Sequence, residues 1–392
     1  MKPSVSLLYC LSHSLFLLSD FLVFLPASKS LEFLNLDKIH LYYLAMTLSY
    51  YISSVISSYV FNRFVTEFDR VKIVISLTLI ALGYDLAYVL MPWEHIEVWM
   101  PIGIAVLSGA IGGPIYIGID SAMDKRVPKE QKSQVISRKY YWAGLFAFSA
   151  FILCYISLKT PFVVKAIILL SCISYVVFIC SYIMLHRKAK VKKEIEAHTE
   201  PDITDASNRE VYILFSLFII FSILINLAEP IQVLQIKLLL NLNHEYQFIY
   251  GAFYYIGSII GSLLAVKVLT KIKDVLWLLS LFVLMGVYFF IMGFSYVIVA
   301  CIIYACAVLL ATVFRIYIRN YLHLKFSGRV LETWLYRLEV VYSLSVLLTL
   351  ISVMIISAGE NYPLTWGISL TTCVVLVLLS FVLIKMFSGS KN

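Results

Sequence analysis

The chain contains the stretch YYISSVISS at Tyr50–Ser58 and, 204 residues later, the stretch YYIGSIIGS at Tyr254–Ser262. A second pair of stretches, Ile115–Ile117 and Ile316–Ile318, reads IYI in both places and is separated by 201 residues. Two matches in the same order and at nearly the same offset indicate an internal repeat. The sequence therefore predicts two halves that share one fold.

The composition places both halves in a membrane. Of the 392 residues, 61% are hydrophobic and 14% are charged, whereas soluble domains usually carry about 25% charged residues. Apolar runs of roughly twenty residues recur along the chain, and a helix of that length crosses a hydrocarbon core of about 30 Å. Because lipid offers no partner to free backbone groups, the spans are expected to be helical. We therefore predict an all-α integral membrane protein.

Twelve spans are predicted, six in each half. A hydrophilic segment separates the halves, so the predicted organisation is an N-terminal half at 1–186, a cytoplasmic linker at 187–210 and a C-terminal half at 211–392. The predicted spans are 5–26, 41–61, 73–92, 98–119, 139–158, 161–185, 211–236, 247–269, 275–294, 296–318, 335–357 and 364–386.

The positive charges predict the orientation of these spans. When loops are assigned to alternate sides, 26 of the 31 Lys and Arg residues fall on one side. Positively charged loops remain in the cytoplasm, so both termini are expected there. The net charge of +8 is thus explained by orientation, and we expect no nucleic acid partner. The expected location of this multi-pass protein is the plasma membrane, here a bacterial inner membrane.

Chemical motifs for cofactors are absent from the sequence. Its seven cysteines show no CxxC spacing, which argues against a zinc site or a disulfide framework. No phosphate-binding glycine loop followed by Lys and Ser or Thr occurs, which argues against ATP as the energy source. We therefore expect no metal, no cofactor and no enzyme activity.

The repeated stretches also predict how helices pack. Gly257 and Gly261 are spaced four residues apart, and Ser53 and Ser57 occupy the corresponding positions in the first half. Small residues at this spacing allow two membrane helices to approach closely. We expect both stretches to lie at helix contacts.

Six spans separate the two copies, so the repeats are parallel, and this architecture resembles the major facilitator superfamily over essentially the whole chain. The family's signature loop falls on Asn62–Lys72, where Asp69–Lys72 keeps the family's pattern. Together with Val127–Glu130, this segment is similar to the macrolide-efflux-like branch of bacterial exporters. Span five, Tyr140–Leu158, departs from the drug/proton antiporter pattern because it has Gly144 but no proline.

The resemblance implies a secondary active transporter that moves a small solute by alternating access, and we expect proton-coupled efflux by a monomer in the lipid bilayer. The expected partners are therefore a small-molecule substrate and protons. One alternative is proton-coupled uptake of a sugar, peptide, nucleoside or siderophore-like solute. A transport-inactive membrane sensor and an intramembrane enzyme are the two possible functions from a different class.

Ionisable residues inside the first half are candidates for proton coupling, because charge is costly in a membrane span. Asp20 lies in the middle of span one, and His13 lies two helical turns earlier on the same face. Both groups can change protonation, so they form a candidate proton-responsive pair; the alternative is a helix–helix hydrogen bond. Asp85 in span three is expected to be a packing or interface residue.

Span seven supplies the candidates from the second half. Four polar residues lie on one face of this apolar helix, and Pro230 beside them frees a backbone carbonyl. We expect this stripe to face the central cavity, with Glu229 as the counterpart of Asp20 in the repeat. The stripe consists of Ser222, Asn226, Glu229 and Gln232.

Charged residues near the cytoplasmic ends of spans ten and eleven predict a gate or clamp. Arg315 and Arg319 are expected to pair with Glu339 and Glu332, because a lone guanidinium in a membrane span is costly.

The resemblance adds a conformational latch in which Asp69, Asp120 and Asp124 meet Arg70 and Arg138. The alternative is that these five charges are solvated at the loop ends.

Overall fold

The computed structural model is helical throughout its described part. It describes residues 5–34, 39–64, 67–124, 127–157, 160–190, 205–236, 247–271, 274–357 and 361–390. Within these ranges the chain forms twelve α-helices, one short 3-10 helix at Trp93–His95 and no strand. The prediction of an all-α chain with twelve long helices is therefore confirmed.

The helices of the first half are longer than the apolar runs that predicted them, because their polar ends continue the helical backbone. They are α1 (Val5–Phe33), α2 (Ile39–Phe64), α3 (Glu67–Leu90), α4 (Trp99–Asp124), α5 (Lys129–Ser157) and α6 (Pro161–Lys190).

The second half repeats this order. Its helices are α7 (Asp205–Leu234), α8 (Gln247–Lys271), α9 (Asp274–Ile291), α10 (Val297–Lys325), α11 (Gly328–Ser357) and α12 (Tyr362–Ser390).

Eight of these helices are long and apolar enough to cross a membrane, as judged over the described residues. They are α1, α3, α4, α6, α7, α10, α11 and α12. Helices α8 and α9 contain shorter apolar stretches, Ile249–Ala265 and Leu276–Ile291. Length and composition of the described helices thus support membrane insertion of both halves.

The chain divides into two compact units. Unit 1 contains Met1–Ala189 together with Asn320–Leu347, and unit 2 contains Lys190–Arg319 together with Leu348–Asn392. The end of α10 and most of α11 therefore pack with the first six helices. The predicted domain boundaries at 186 and 211 follow the sequence repeat and remain a prediction.

In unit 1 the first repeated stretch lies against α4, and α1 packs along α4 and α5. Gly109 of α4 makes the close contact, since a Cβ atom built on it would lie 2.0 Å from the carbonyl oxygen of Tyr50 and 2.3 Å from Ser53 Oγ. No larger residue fits there without displacing α2. The expected helix contact at Ser53 is confirmed.

In unit 2 the second repeated stretch makes the corresponding contact with α10. A Cβ atom on Gly257 would lie 2.3 Å from the carbonyl oxygen of Ala305, and one on Gly261 would lie 2.3 Å from that of Leu309. The glycine is on α4 in unit 1 but on α8 in unit 2. Both repeats therefore achieve close packing, with the small residue on opposite partners.

Candidate functional site

A buried carboxylate lies in the middle of α1. Asp20 is 6% exposed within the apolar span Val5–Leu31. The Tyr50 hydroxyl on α2 donates a long hydrogen bond of 3.5 Å to Asp20 Oδ2, and Ser108 on α4 also lies beside the carboxylate. Asp20 Oδ1 has no hydrogen-bond partner among the described residues. This carboxylate is thus held by neutral groups and is incompletely bonded.

His13 lies at a different level of α1. Its ring is 5.1 Å from that of Tyr116 and 6.4 Å from that of Tyr140, measured between centroids. Seven residues separate it from Asp20, which corresponds to about 10 Å along a helix. The described contacts of Asp20 do not include His13. The proposed proton-responsive role of the two residues remains a prediction.

Most of the polar stripe on α7 is bonded to protein groups within unit 2. Ser222 Oγ donates to the carbonyl of Phe218 at 2.7 Å, and Asn226 Nδ2 donates to the carbonyl of Ser222 at 2.6 Å. Gln232 Nε2 contacts the Tyr288 hydroxyl on α9 at 2.7 Å. These three residues are buried. The side chain of Glu229 lies outside the described residues.

Arg315 of α10 is held by aromatic residues of unit 2. Its Nη1 donates to the Tyr254 hydroxyl at 2.7 Å, and its guanidinium lies 5.3 Å from the centroid of the Phe221 ring. Arg319 and Glu339 are half-buried and both take part in further polar interactions. The gate roles of these residues remain predictions, and the side chain of Asp69 lies outside the described residues.

Arg70, at the start of α3, pairs with an acid on α11. Its Nη2 lies 3.4 Å from Glu332 Oε2, and the two side chains are 6% and 14% exposed. Ser121 on α4 donates to the other carboxylate oxygen of Glu332, and the Arg70 guanidinium lies 5.6 Å from the Tyr336 ring centroid. The sequence had placed Glu332 with an arginine of α10. Sequence reasoning did not predict the pairing with Arg70, and the expected pairing with an arginine of α10 remains a prediction.

A second ion pair joins α4 to α5 and to the end of α10. Lys132 Nζ donates to Asp124 Oδ1 and to the main-chain carbonyl of His323 at 3.4 Å. His323 Nδ1 lies 3.3 Å from the same Asp124 oxygen, and the imidazole is fully buried. His323 Nε2 has no hydrogen-bond partner among the residues that the structure describes.

A third pair lies deeper in unit 1. Lys139 Nζ is 2.9 Å from Asp120 Oδ1, and each side chain is 1% exposed. The Tyr9 hydroxyl donates to the same Asp120 oxygen at 2.7 Å, and the ammonium group lies 5.4 Å from the Tyr9 ring centroid. Arg138, expected in the latch, is exposed.

These three pairs form what we call the basal network: Arg70–Glu332, Lys132–Asp124–His323 and Lys139–Asp120. Sequence reasoning identified Arg70, Asp120 and Asp124 as latch candidates but predicted none of the pairings with their four partners, Glu332, Lys132, His323 and Lys139. The sequence signal for a lysine partner was the excess of Lys and Arg residues between Lys125 and Lys139. The basal network therefore replaces the simple alternative of solvated charges for these members.

The chain matches the model of one protein family, described as the Major Facilitator Superfamily, over residues 7–331. No curated protein matches it significantly. The expected resemblance to this superfamily is confirmed, whereas the macrolide-efflux-like branch remains a prediction.

Solved structures resemble the chain over almost its full length. One is a crystal structure of a bacterial homologue of the iron transporter ferroportin in an outward-facing state, with a TM-score of 0.65 and 15% identity over 96% of this chain and 99% of that one. Another is such a homologue in the same state with soaked iron, with a TM-score of 0.70 and 13% identity over 98% and 100%. At 13% to 15% sequence identity, this similarity shows that the chain shares the fold of these proteins.

Proposed function

The chain belongs to the Major Facilitator Superfamily, and from this premise we propose that it exports a small solute by proton-coupled alternating access. Membership makes it a multi-pass membrane protein and a secondary transporter. The observation that carries proton coupling is the buried Asp20 carboxylate, whose Oδ1 lacks a hydrogen-bond partner among the described residues.

The chemistry of Asp20 suits a group that alternates between two protonation states. A charged carboxylate in a membrane span is costly unless it is paired or reaches water. Binding of a proton removes that charge, and the neutral acid can donate a hydrogen bond. The charged and the neutral form of Asp20 therefore favour different surroundings. A proton that binds one conformation more tightly than the other shifts the equilibrium between them.

The basal network supports a second element of the proposal, a gate at the cytoplasmic ends of the helices. It ties α3, α4 and α5 to the end of α10 and the start of α11 within unit 1. Removal of one partner of a buried ion pair strongly destabilises the folded protein, because the other charge stays buried without compensation. We infer that these pairs form in one transport state and separate, with access to water, in the other.

The remaining features of the proposal come from the sequence. Glu229 acts as the counterpart of Asp20, both termini lie in the cytoplasm, and the protein resides in the plasma membrane. Export is preferred to uptake because two loop segments resemble the macrolide-efflux-like branch. Transport assays decide between the two directions.

The first experiment identifies a substrate. Purified protein is heated in the presence of organic cations, macrolides, sugars, nucleosides, peptides and ferrous ion, the last because the solved relatives are homologues of an iron transporter. A ligand that binds the folded state raises the midpoint of thermal unfolding by mass action.

The second experiment tests coupling with that ligand in proteoliposomes. An imposed pH gradient is expected to accelerate wild-type flux, and Asp20→Asn is expected to abolish the acceleration while leaving the folded yield intact. Ser19→Ala is the matched control, because Ser19 is buried next to Asp20 in sequence and its hydroxyl donates to the carbonyl of Leu15 in its own helix. Wild-type acceleration in Asp20→Asn would exclude Asp20 from coupling.

A further inference from the structure

Aromatic side chains flank the Asp20 carboxylate along α1. Phe16 lies one helical turn before Asp20 and Phe24 one turn after it, so the three side chains share one face of the helix. Phe16 is fully buried, whereas Phe24 is half-buried. The carboxylate therefore lies between two phenyl rings.

Tyr50 of α2 connects this acid to α4. Its hydroxyl lies 3.5 Å from Asp20 Oδ2, and its ring packs edge-on against that of Phe24 at 5.9 Å between centroids. The same hydroxyl lies 3.4 Å from the position of a Cβ atom built on Gly112 of α4. Helix α4 thus faces Tyr50 with a residue that has no side chain.

Two rings approach the same point on α4. The Tyr116 ring lies 3.9 Å and the Phe16 ring 4.0 Å from the Cβ position of Gly112, and the centroids of these two rings are 5.4 Å apart. Aromatic residues from three helices therefore converge in front of Gly112, all within unit 1. We call the acid and the aromatic residues around it the aromatic box: Phe16, Asp20, Phe24, Tyr50 and Tyr116.

The acid of the aromatic box has an unused acceptor. Asp20 is 6% exposed, and its Oδ1 has no hydrogen-bond partner among the described residues. A charged donor forms the strongest hydrogen bond to a carboxylate oxygen, and a cation is also attracted to the faces of aromatic rings. One carboxylate among aromatic rings suits a protonated amine with an apolar substituent, whereas a divalent metal ion prefers several oxygen or nitrogen ligands.

A ligand can reach the acid past Tyr50. The hydrogen bond from the Tyr50 hydroxyl is long at 3.5 Å, which makes it weak, and the Tyr50 side chain is only half-buried. Tyr116 is half-buried as well. An ammonium group can therefore take the place of the hydroxyl at the carboxylate while its apolar substituent lies on the rings.

We propose that the aromatic box binds the cationic end of the substrate, a protonated amine with an aromatic or other apolar substituent. The ammonium group donates a hydrogen bond to Asp20 Oδ1 and lies against the rings of Tyr50 and Tyr116. This inference rests on the proposed export function and names the class of its substrate.

Equilibrium binding to the purified full-length protein in detergent tests this inference. The probes are 2-phenylethylamine, which is protonated at about pH 7, its neutral analogue 2-phenylethanol, and ferrous ion. Each probe is titrated, and the rise of the thermal unfolding midpoint gives its dissociation constant. We expect the amine to bind at least about tenfold more tightly than the alcohol, because it adds one charge-assisted hydrogen bond. Equal affinity of amine and alcohol, no binding of the amine, or tighter binding of ferrous ion through Asp20 would overturn the proposal.

Two variants locate the bound amine. Asp20→Asn is expected to weaken amine binding at least about tenfold, because the charged acceptor is lost; Glu130→Gln at an exposed position is its control. Tyr116→Leu is expected to weaken binding about threefold through loss of a contact between the cation and the ring. Phe162→Leu, which removes a ring that is 80% exposed, is the matched control. Unchanged amine affinity in Asp20→Asn would place the amine elsewhere and overturn the proposal.

Failure of this inference and failure of the proposed function are distinguishable. Binding needs no gradient, so amine binding that depends on Asp20, without acceleration of flux by a pH gradient, would retain the substrate class and refute proton coupling. Gradient-accelerated flux of a neutral solute or a metal ion would retain the proposed function and overturn this inference. Should Asp20→Asn fail to fold, the comparison of amine with alcohol in the wild type, together with Tyr116→Leu, still decides.

Discussion

The guanidinium Nη2 of Arg70 lies 3.4 Å from Glu332 Oε2, so the first residues of α3 are bonded to the first turns of α11. The acid is bonded a second time by Ser121 of α4. One carboxylate thus holds two elements of the first half against an element that follows more than 200 residues later in sequence. The strength of this contact can be measured.

Glu332→Gln is expected to destabilise the protein by about 3 kcal/mol, because Arg70 would remain charged and nearly buried without its acid. Exchanging the two charges in the double variant Arg70→Glu with Glu332→Arg should restore part of the loss, since interacting residues are non-additive. Thermal unfolding in detergent measures both. Glu130→Gln, at an exposed position, serves as the control and should be nearly neutral. If the destabilisation of the double variant equals the sum of those of Arg70→Glu and Glu332→Arg alone, the two residues do not interact.

Lys132→Met is expected to destabilise unit 1. The change removes the ammonium group that donates to Asp124, and this nearly buried carboxylate keeps only His323 at 3.3 Å beside it among the ion pairs of the described residues. Removal of one partner from a buried ion pair leaves an uncompensated charge, so we expect a loss of about 3 kcal/mol. Thermal unfolding in detergent measures the loss, with Glu130→Gln at an exposed position as the control. An unchanged unfolding midpoint in Lys132→Met would show that the ammonium group does not stabilise Asp124.

Gly257→Ala is expected to destabilise unit 2 by about 1 to 3 kcal/mol, because the new methyl group would lie 2.3 Å from the carbonyl oxygen of Ala305. Gly286→Ala is the matched control, since no neighbouring atom lies within 4 Å of its added Cβ. There the higher helix propensity of alanine should make the variant neutral or more stable. Thermal unfolding compares the two, and equal effects would argue against the close contact between α8 and α10.

Reporter fusions test the orientation. Reporters fused after Lys193 and at the C-terminus are expected to be in the cytoplasm, because positive charge accumulates on the cytoplasmic side. A reporter inserted between the end of α1 at Phe33 and the start of α2 at Ile39 is expected to be outside. Alkaline phosphatase and green fluorescent protein activity distinguish the two sides. An external reporter at residue 193 would contradict the two-half topology.

Glu229→Gln is expected to abolish acceleration of flux by a pH gradient, because the amide keeps the shape of the acid but exchanges no proton. The protein should remain folded and inserted, as checked by gel filtration. Ser216→Ala on the same helix is the control, because the Ser216 hydroxyl lies outside the polar stripe and donates to the carbonyl of Tyr212. Gradient-driven flux at the wild-type rate in Glu229→Gln would leave coupling to Asp20.

The sequence predicted every helix but misjudged several ends. The span predicted at 5–26 belongs to a helix that continues through Pro26 to Phe33, and the one predicted at 335–357 begins at Gly328. Hydropathy detects the apolar part of a helix, whereas the hydrogen-bonded helical backbone extends into the polar residues that flank it. The hydropathy pattern was sufficient to predict the helical class and the twelve long helices, whereas the orientation predicted from the charges remains a prediction.

The site was predicted residue by residue but not as a set of contacts. Asp20 stood out as an acid in an apolar run, and Arg70 through a family pattern. The partner of Arg70, Glu332, lies 262 positions away, and only helix packing brings such residues together. The roles of Lys132, Lys139 and His323 follow from the same packing, which no local spacing encodes.

Lys139 has a further use that follows from its enclosure. Its ammonium group is 1% exposed, lies 2.9 Å from Asp120 Oδ1 and is flanked by the rings of Tyr9 and Tyr140. An acylating reagent needs the free amine and a path to it, and both are denied while α1 and α5 remain packed together. The rate at which Lys139 is acylated therefore reports how often these two helices separate. This measurement requires no known substrate.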